Sequence, residues 1–182
     1  MAYRYNPFKP NSPVYAGMFS GRTKELEAID KFLFQTKNGN PMHILLVGER
    51  GIGKSSLLLV ANHFAKGNLA WSENKYNFLV AQISLSQDIS LIDLAVKIKT
   101  SLEKELNKTE KGLAFVRDTW AFLKKIEAGI GGTTFSIKSD DKKIGQQLID
   151  DIVASISKTI SQITSDRATD ELGITQKKDG LL

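Results

Sequence analysis

The sequence predicts an α/β fold, a parallel sheet flanked by helices, and three stretches carry that expectation. Met42-His43-Ile44-Leu45-Leu46-Val47 is an apolar run of strand length, and Phe78-Leu79-Val80-Ala81-Gln82-Ile83-Ser84 is a second. Between them, Ser55 to Ala65 reads as a helix. A helix between two strands is the connection that parallel pairing needs.

The first run meets that helix through Gly48-Glu49-Arg50-Gly51-Ile52-Gly53-Lys54-Ser55-Ser56, which fits the pattern G-x-x-x-x-G-K-[ST]. Glycines at 48, 51 and 53 let the backbone turn tightly around a polyphosphate. Backbone donors from Glu49 to Ser56, Arg50 and Ile52 included, then point at its oxygens. Lys54 is the candidate catalytic cation, set against the β- and γ-phosphates, and Ser55 offers its hydroxyl to Mg²⁺. The partial positive charge at the helix N-terminus favours the same ligand. The expectation is a site for a nucleoside triphosphate.

The remaining segments follow in order. Asn6 to Tyr15 holds three of the four prolines, so residues 1–17 read as an extended lead-in. Leu26, Ile29, Phe32 and Leu33 mark an amphipathic helix that ends at Asn38-Gly39-Asn40-Pro41. Ser90-Leu91-Ile92-Asp93 resembles a capping box with Asp at its last place. Leu91, Leu94, Ile98, Leu102 and Leu106 then line one face of a long helix. Phe115, Val116, Trp120, Leu123 and Ile126 suggest a further helix before the glycine-rich turn Gly129 to Gly132. Thr133 to Lys138 alternates like a short strand, and Ile144, Leu148, Ile152, Ile156, Ile160 and Ile163 return to helical spacing.

Composition narrows the classes. At 182 residues, 41% hydrophobic and 25% charged, the chain suits one soluble globular domain. No apolar run reaches membrane length, and the absence of cysteine excludes disulfides and thiolate metal sites, which agrees with a cytoplasmic setting. The net charge of +5 lies within the first 80 residues, alongside the glycine-rich loop. It permits nucleic acid, but no basic run or aromatic stripe supports that partner.

An Asn-Pro-Phe-x-Pro lead, the turn Phe19-Ser20-Gly21-Arg22, a helix starting near Glu25 and the glycine-rich loop together resemble the AAA+ and STAND-type P-loop ATPases. The nearer likeness is to prokaryotic AAA ATPase domains, and replication initiators are more distant. The resemblance implies a P-loop NTPase-like fold, with ATP and Mg²⁺ as cofactors and a role as a switch or motor. It also implies that Phe19, Gly21 and Arg22 pack beside the adenine, and that 107–175 is a helical insertion.

The partners of a phosphate loop are harder to find. Leu148-Ile149-Asp150-Asp151 imitates a Walker B strand but sits inside a helical stripe. Asp170-Glu171-Leu172-Gly173 and Asn107-Lys108-Thr109-Glu110 approximate guanine-nucleotide motifs and read as surface turns, so ATP is preferred over GTP. Lys177 to Leu182 reads as a cut before the Walker B strand, which makes residues 1–182 the N-terminal part of a single AAA+-like domain. On that expectation the chain binds ATP without efficient hydrolysis, and a homo-oligomer or protein partner would engage parts beyond Leu182. Two alternatives are a nucleotide-sensing module without turnover and an initiator-type DNA-binding ATPase.

Overall fold

The computed structural model describes residues 21–107, 109–123 and 142–182. They fall into two compact units, one ending at Phe78 and the other beginning at Leu79.

In the first unit, α1 (Thr23–Lys37) packs against α2 (Lys54–Ala65). Leu26, Ile29 and Leu33 recur at helical spacing, and all three are buried. From α2 come Leu57, Val60, Phe64 and Ala65, while Phe32 on α1 is only half-buried. Tyr76 and Phe78 complete this core, their ring centroids 6.1 Å apart. The chain reaches them by turning at Gly67, whose φ is +74°. A Cβ there would stand 2.3 Å from the Tyr76 carbonyl oxygen, so only glycine fits. The Phe78 amide then donates to the Ala65 carbonyl at 2.8 Å.

Asp30 ties the far side of α1 to this return segment. Its carboxylate accepts from Ser72 Oγ at 2.9 Å, Asn74 Nδ2 at 3.3 Å and the Tyr76 hydroxyl at 2.8 Å. Burial, together with the Asp30 carboxylate, pushes the Tyr76 phenol well above its ordinary range. The hydroxyl therefore stays a donor throughout the working pH range.

The second unit is built from α3 (Leu91–Leu106), α4 (Glu110–Thr119), α5 (Lys142–Thr164) and α6 (Ala168–Leu172). Ser90 and Asp93 form the expected capping box: the Asp93 amide donates to Ser90 Oγ at 3.1 Å and the Ser90 amide to Asp93 Oδ2 at 3.4 Å. Thr109 caps α4 by accepting from the Gly112 amide at 3.1 Å. Its hydroxyl also donates to the Leu172 carbonyl at 2.5 Å, which anchors the end of α6. Ala95, Leu102 and Leu106 of α3 meet Val116, Trp120 and Leu123, with Leu148, Ile152 and Ile163 of α5 and Leu172 of α6. Leu91, expected on the inner face, is exposed at the first turn, and Ile160 also faces outward.

The expected parallel sheet is not present among the described residues. Among the described residues there is no strand, and the architecture is helical. Met42 to Val47 forms no regular element, with Leu45 85% and Val47 81% exposed. Phe78 to Ser84 contributes only Leu79, in an isolated parallel bridge to Leu181. The reason is physical. An apolar run becomes a strand only when a neighbour accepts and donates along its backbone, and periodicity does not report whether that neighbour exists. Helix faces supply the cores of both units instead. The lead-in 1–17, Phe19, Ile126, the turn Gly129 to Gly132 and the expected strand Thr133 to Lys138 lie outside the described residues.

Candidate functional site

The loop from Gly48 to Gly53 belongs to the first unit and runs directly into α2. Gly53 is the residue before the helix, with φ +93°, and contributes no side-chain cap. A non-glycine residue there would be strained, and its Cβ would also approach the Arg22 guanidinium at 3.7 Å. Side chains cap α3 and α4, whereas the start of α2 has neither a side-chain cap nor an acidic residue in its first turn. The first-turn amides of a helix have no intrahelical acceptor, so this end carries a partial positive charge.

Lys54 opens the helix, one residue earlier than the sequence suggests. Its ammonium folds back over the loop and donates to the Gly48 carbonyl at 2.8 Å and the Glu49 carbonyl at 2.7 Å. An ammonium has three N–H donors, so one remains for a further acceptor on the loop side. The Ile52 amide closes a turn onto the Glu49 carbonyl at 3.5 Å. Ser55 is exposed, and Ser56 is turned into the unit, 8% exposed. Glu49, Arg50, Gly51 and Ile52 are all solvent-facing.

Of the residues named for the base, Phe19 lies outside the described residues. Gly21 and Arg22 immediately precede α1. Arg22 Nη2 donates to the Ile52 carbonyl, inside the glycine-rich loop. Its Nη1 lies 3.9 Å from a Glu25 carboxylate oxygen, an exposed pair that contributes little by itself. The contact between residues 22 and 52 has no local signature in the sequence, and nothing short of the fold shows it.

The other motifs lie on helices or at their ends. Asp150 and Asp151 sit on α5, where they accept from Gln146 and Gln147 one turn earlier. Asp170 and Glu171 lie on α6, which Gly173 closes in a left-handed turn. Asn107 follows α3 and Thr109 precedes α4. A separate groove of about 470 Å³ is lined by Glu27, Asp30, Lys31, Phe34 and Trp71 among others, none of them from the loop.

The family model of the AAA ATPase domain matches residues 18–171. The chain belongs to the AAA ATPase domain family. Nucleotide binding and ATPase activity are general properties of an AAA ATPase domain, and the match spans the glycine-rich loop and Arg22. Neither the curated proteins nor the solved structures include a significant match to this AAA ATPase domain. Among its described residues no helix is long and apolar enough to cross a membrane.

Proposed function

We propose that Gly48 to Ser56 is a Walker A phosphate loop that binds ATP with Mg²⁺, within an AAA-type ATPase acting as a switch or motor. The observation that carries the reading is the junction of three features: a glycine-rich loop, an uncapped helix start and the Lys54 ammonium lying across that loop. Each favours anionic oxygen, and together they match the chemistry of a polyphosphate.

In this reading Gly48, Gly51 and Gly53 allow the backbone to wrap the phosphates. Amides between Glu49 and Ser56 donate to their oxygens, and Lys54 neutralises the β/γ end. Ser55 is the protein oxygen for the metal. Among the described residues no cluster of three or more His, Cys, Asp or Glu side chains is placed to hold a metal ion. Mg²⁺ held by one hydroxyl, nucleotide phosphates and water needs no such cage. The exposed Ser55 hydroxyl, at the start of an uncapped helix, fits that donor set. When bound, Mg²⁺ neutralises charge on the phosphate oxygens.

ATP is expected to outcompete GTP. Of the guanine-like tetrapeptides, Asn107 and Thr109 serve as helix caps and Asp170 to Leu172 lie on a short helix of the second unit, which gives neither the form of a base-reading motif. Displacement of a fluorescent ATP analogue should show ATP binding at least about tenfold more tightly than GTP, a difference of about 1.4 kcal/mol. Equal or tighter binding of GTP would refute the base assignment while leaving the phosphate site standing.

A further inference from the structure

We infer that Arg22 is a positioning residue of the phosphate loop, acting through the Ile52–Gly53 peptide and not as a ligand of the base. The inference rests on the reading of residues 48–56 as that loop. Among the described residues Arg22 is the only non-glycine residue with a positive φ, at 55°, and it follows Gly21 at φ 80°. Left-handed backbone is unfavourable for a residue with a Cβ, so such positions persist where the surrounding contacts hold them. Here the contact is the guanidinium donating to the Ile52 carbonyl, 30 positions further along the chain. The same guanidinium lies 3.7 Å from where a Cβ on Gly53 would stand, ordinary contact distance, so Arg22 lies directly against the end of the loop.

A trans peptide points its C=O and its next N–H in opposite directions. Fixing the Ile52 oxygen on Arg22 therefore fixes where the Gly53 N–H is aimed, away from Arg22. A cation on the carbonyl also polarises the peptide and makes that N–H a stronger donor. Gly53 precedes the first turn of α2, so its amide stands next to the amides at the helix start. Lys54 meanwhile holds the beginning of the loop, through the Gly48 and Glu49 carbonyls. Lys54 thus holds carbonyls at the beginning of the loop and Arg22 one at its end.

Substitution has to respect the backbone. Glycine and asparagine both accept a left-handed φ, and neither reaches Ile52, so Arg22→Gly and Arg22→Asn delete the contact without adding strain. Calorimetric titration with Mg-ATP and with Mg-tripolyphosphate, which lacks a base, is the test. Both variants should lose about five- to twentyfold in affinity for both ligands, by the same factor, with an unchanged melting temperature. Arg22→Lys, which keeps a donor of similar reach, should recover part of the loss. In the nucleotide-free protein the Gly53 amide resonance should shift in Arg22→Asn. Loss for ATP alone would make Arg22 a base contact, and no loss for either ligand would remove its role; each overturns the inference. A Gly53 amide that does not move would exclude action through the peptide. A wild-type chain that binds neither ligand would refute the phosphate-loop reading itself, and the inference with it.

Discussion

Replacing Lys54 by alanine is expected to weaken Mg-ATP binding by at least about 1.5–3 kcal/mol, roughly ten- to a hundredfold in Kd, the scale of a charge-assisted contact. The argument begins with geometry. The ammonium donates to two carbonyls of the loop, so it is held over the turn where the phosphates are proposed to lie. Gly48 and Glu49 face solvent, so water takes over their oxygens when the side chain is removed. The fold should therefore hardly change, and the melting temperature should stay within a few degrees of the wild type. A large loss of affinity on an intact fold is the signature of a ligand contact. Calorimetry giving the same affinity for both forms would remove Lys54 from the site.

The second large effect concerns stability. Trp120 is wholly buried, the largest such side chain among the described residues, and it packs within the cluster formed by α3, α4, α5 and α6. Its ring lies 5.9 Å from that of Phe122. Trp120→Ala should cost about 3–5 kcal/mol, combining lost transfer energy with a cavity that rigid helices fill poorly. Against a total stability of about 5–15 kcal/mol that is a large share, and it should lower the melting temperature by roughly 6–20 °C. Trp120→Phe should be much milder. It keeps a ring and discards an indole N–H that has no acceptor among the described residues. Thermal unfolding of the two variants decides this, and a shift of under about 2 °C for Trp120→Ala would show that the second unit is held together elsewhere.

The helices were largely legible, because the signals that make a helix are local. Ser90 with Asp93, and the stripe ending in Leu102 and Leu106, lie within a few residues of one another, and the capping box formed as written. Where the stripe misled, side-chain size was the reason. Ala95 is fully buried where the larger Leu91 and Leu94 were expected, since a small residue lets α3 approach its neighbours closely. The expected strands did not form among the described residues. Ile44, Leu45 and Val47 have the composition of a strand but are 44%, 85% and 81% exposed and pair with nothing described. The candidate site splits along the same line. Gly53 and Lys54 adjoin in sequence and were found together, whereas the reach of Arg22 to Ile52 and of Tyr76 to Asp30 spans 30 and 46 positions. Neither pair leaves a periodic or compositional trace.

The isolated bridge of the second unit carries a consequence for the order of folding. Leu79 and Leu181 are joined by amide bonds of 2.9 Å from Leu79 to Gly180 and 2.9 Å from Leu182 to Leu79, and Ala81 adds one of 2.7 Å to Leu182. Three such bonds contribute about 1 kcal/mol each, while closing a free loop of about 100 residues costs about 4 kcal/mol in chain entropy. The pairing therefore cannot act as a nucleus. It forms once the helices between its ends have packed and shortened the effective loop, and by the same balance it opens before they do. Amide exchange should follow that order, faster at Leu79, Ala81 and Leu182 than at Leu102 or Val116, and the reverse order would mean that the bridge and not the helix cluster closes the unit.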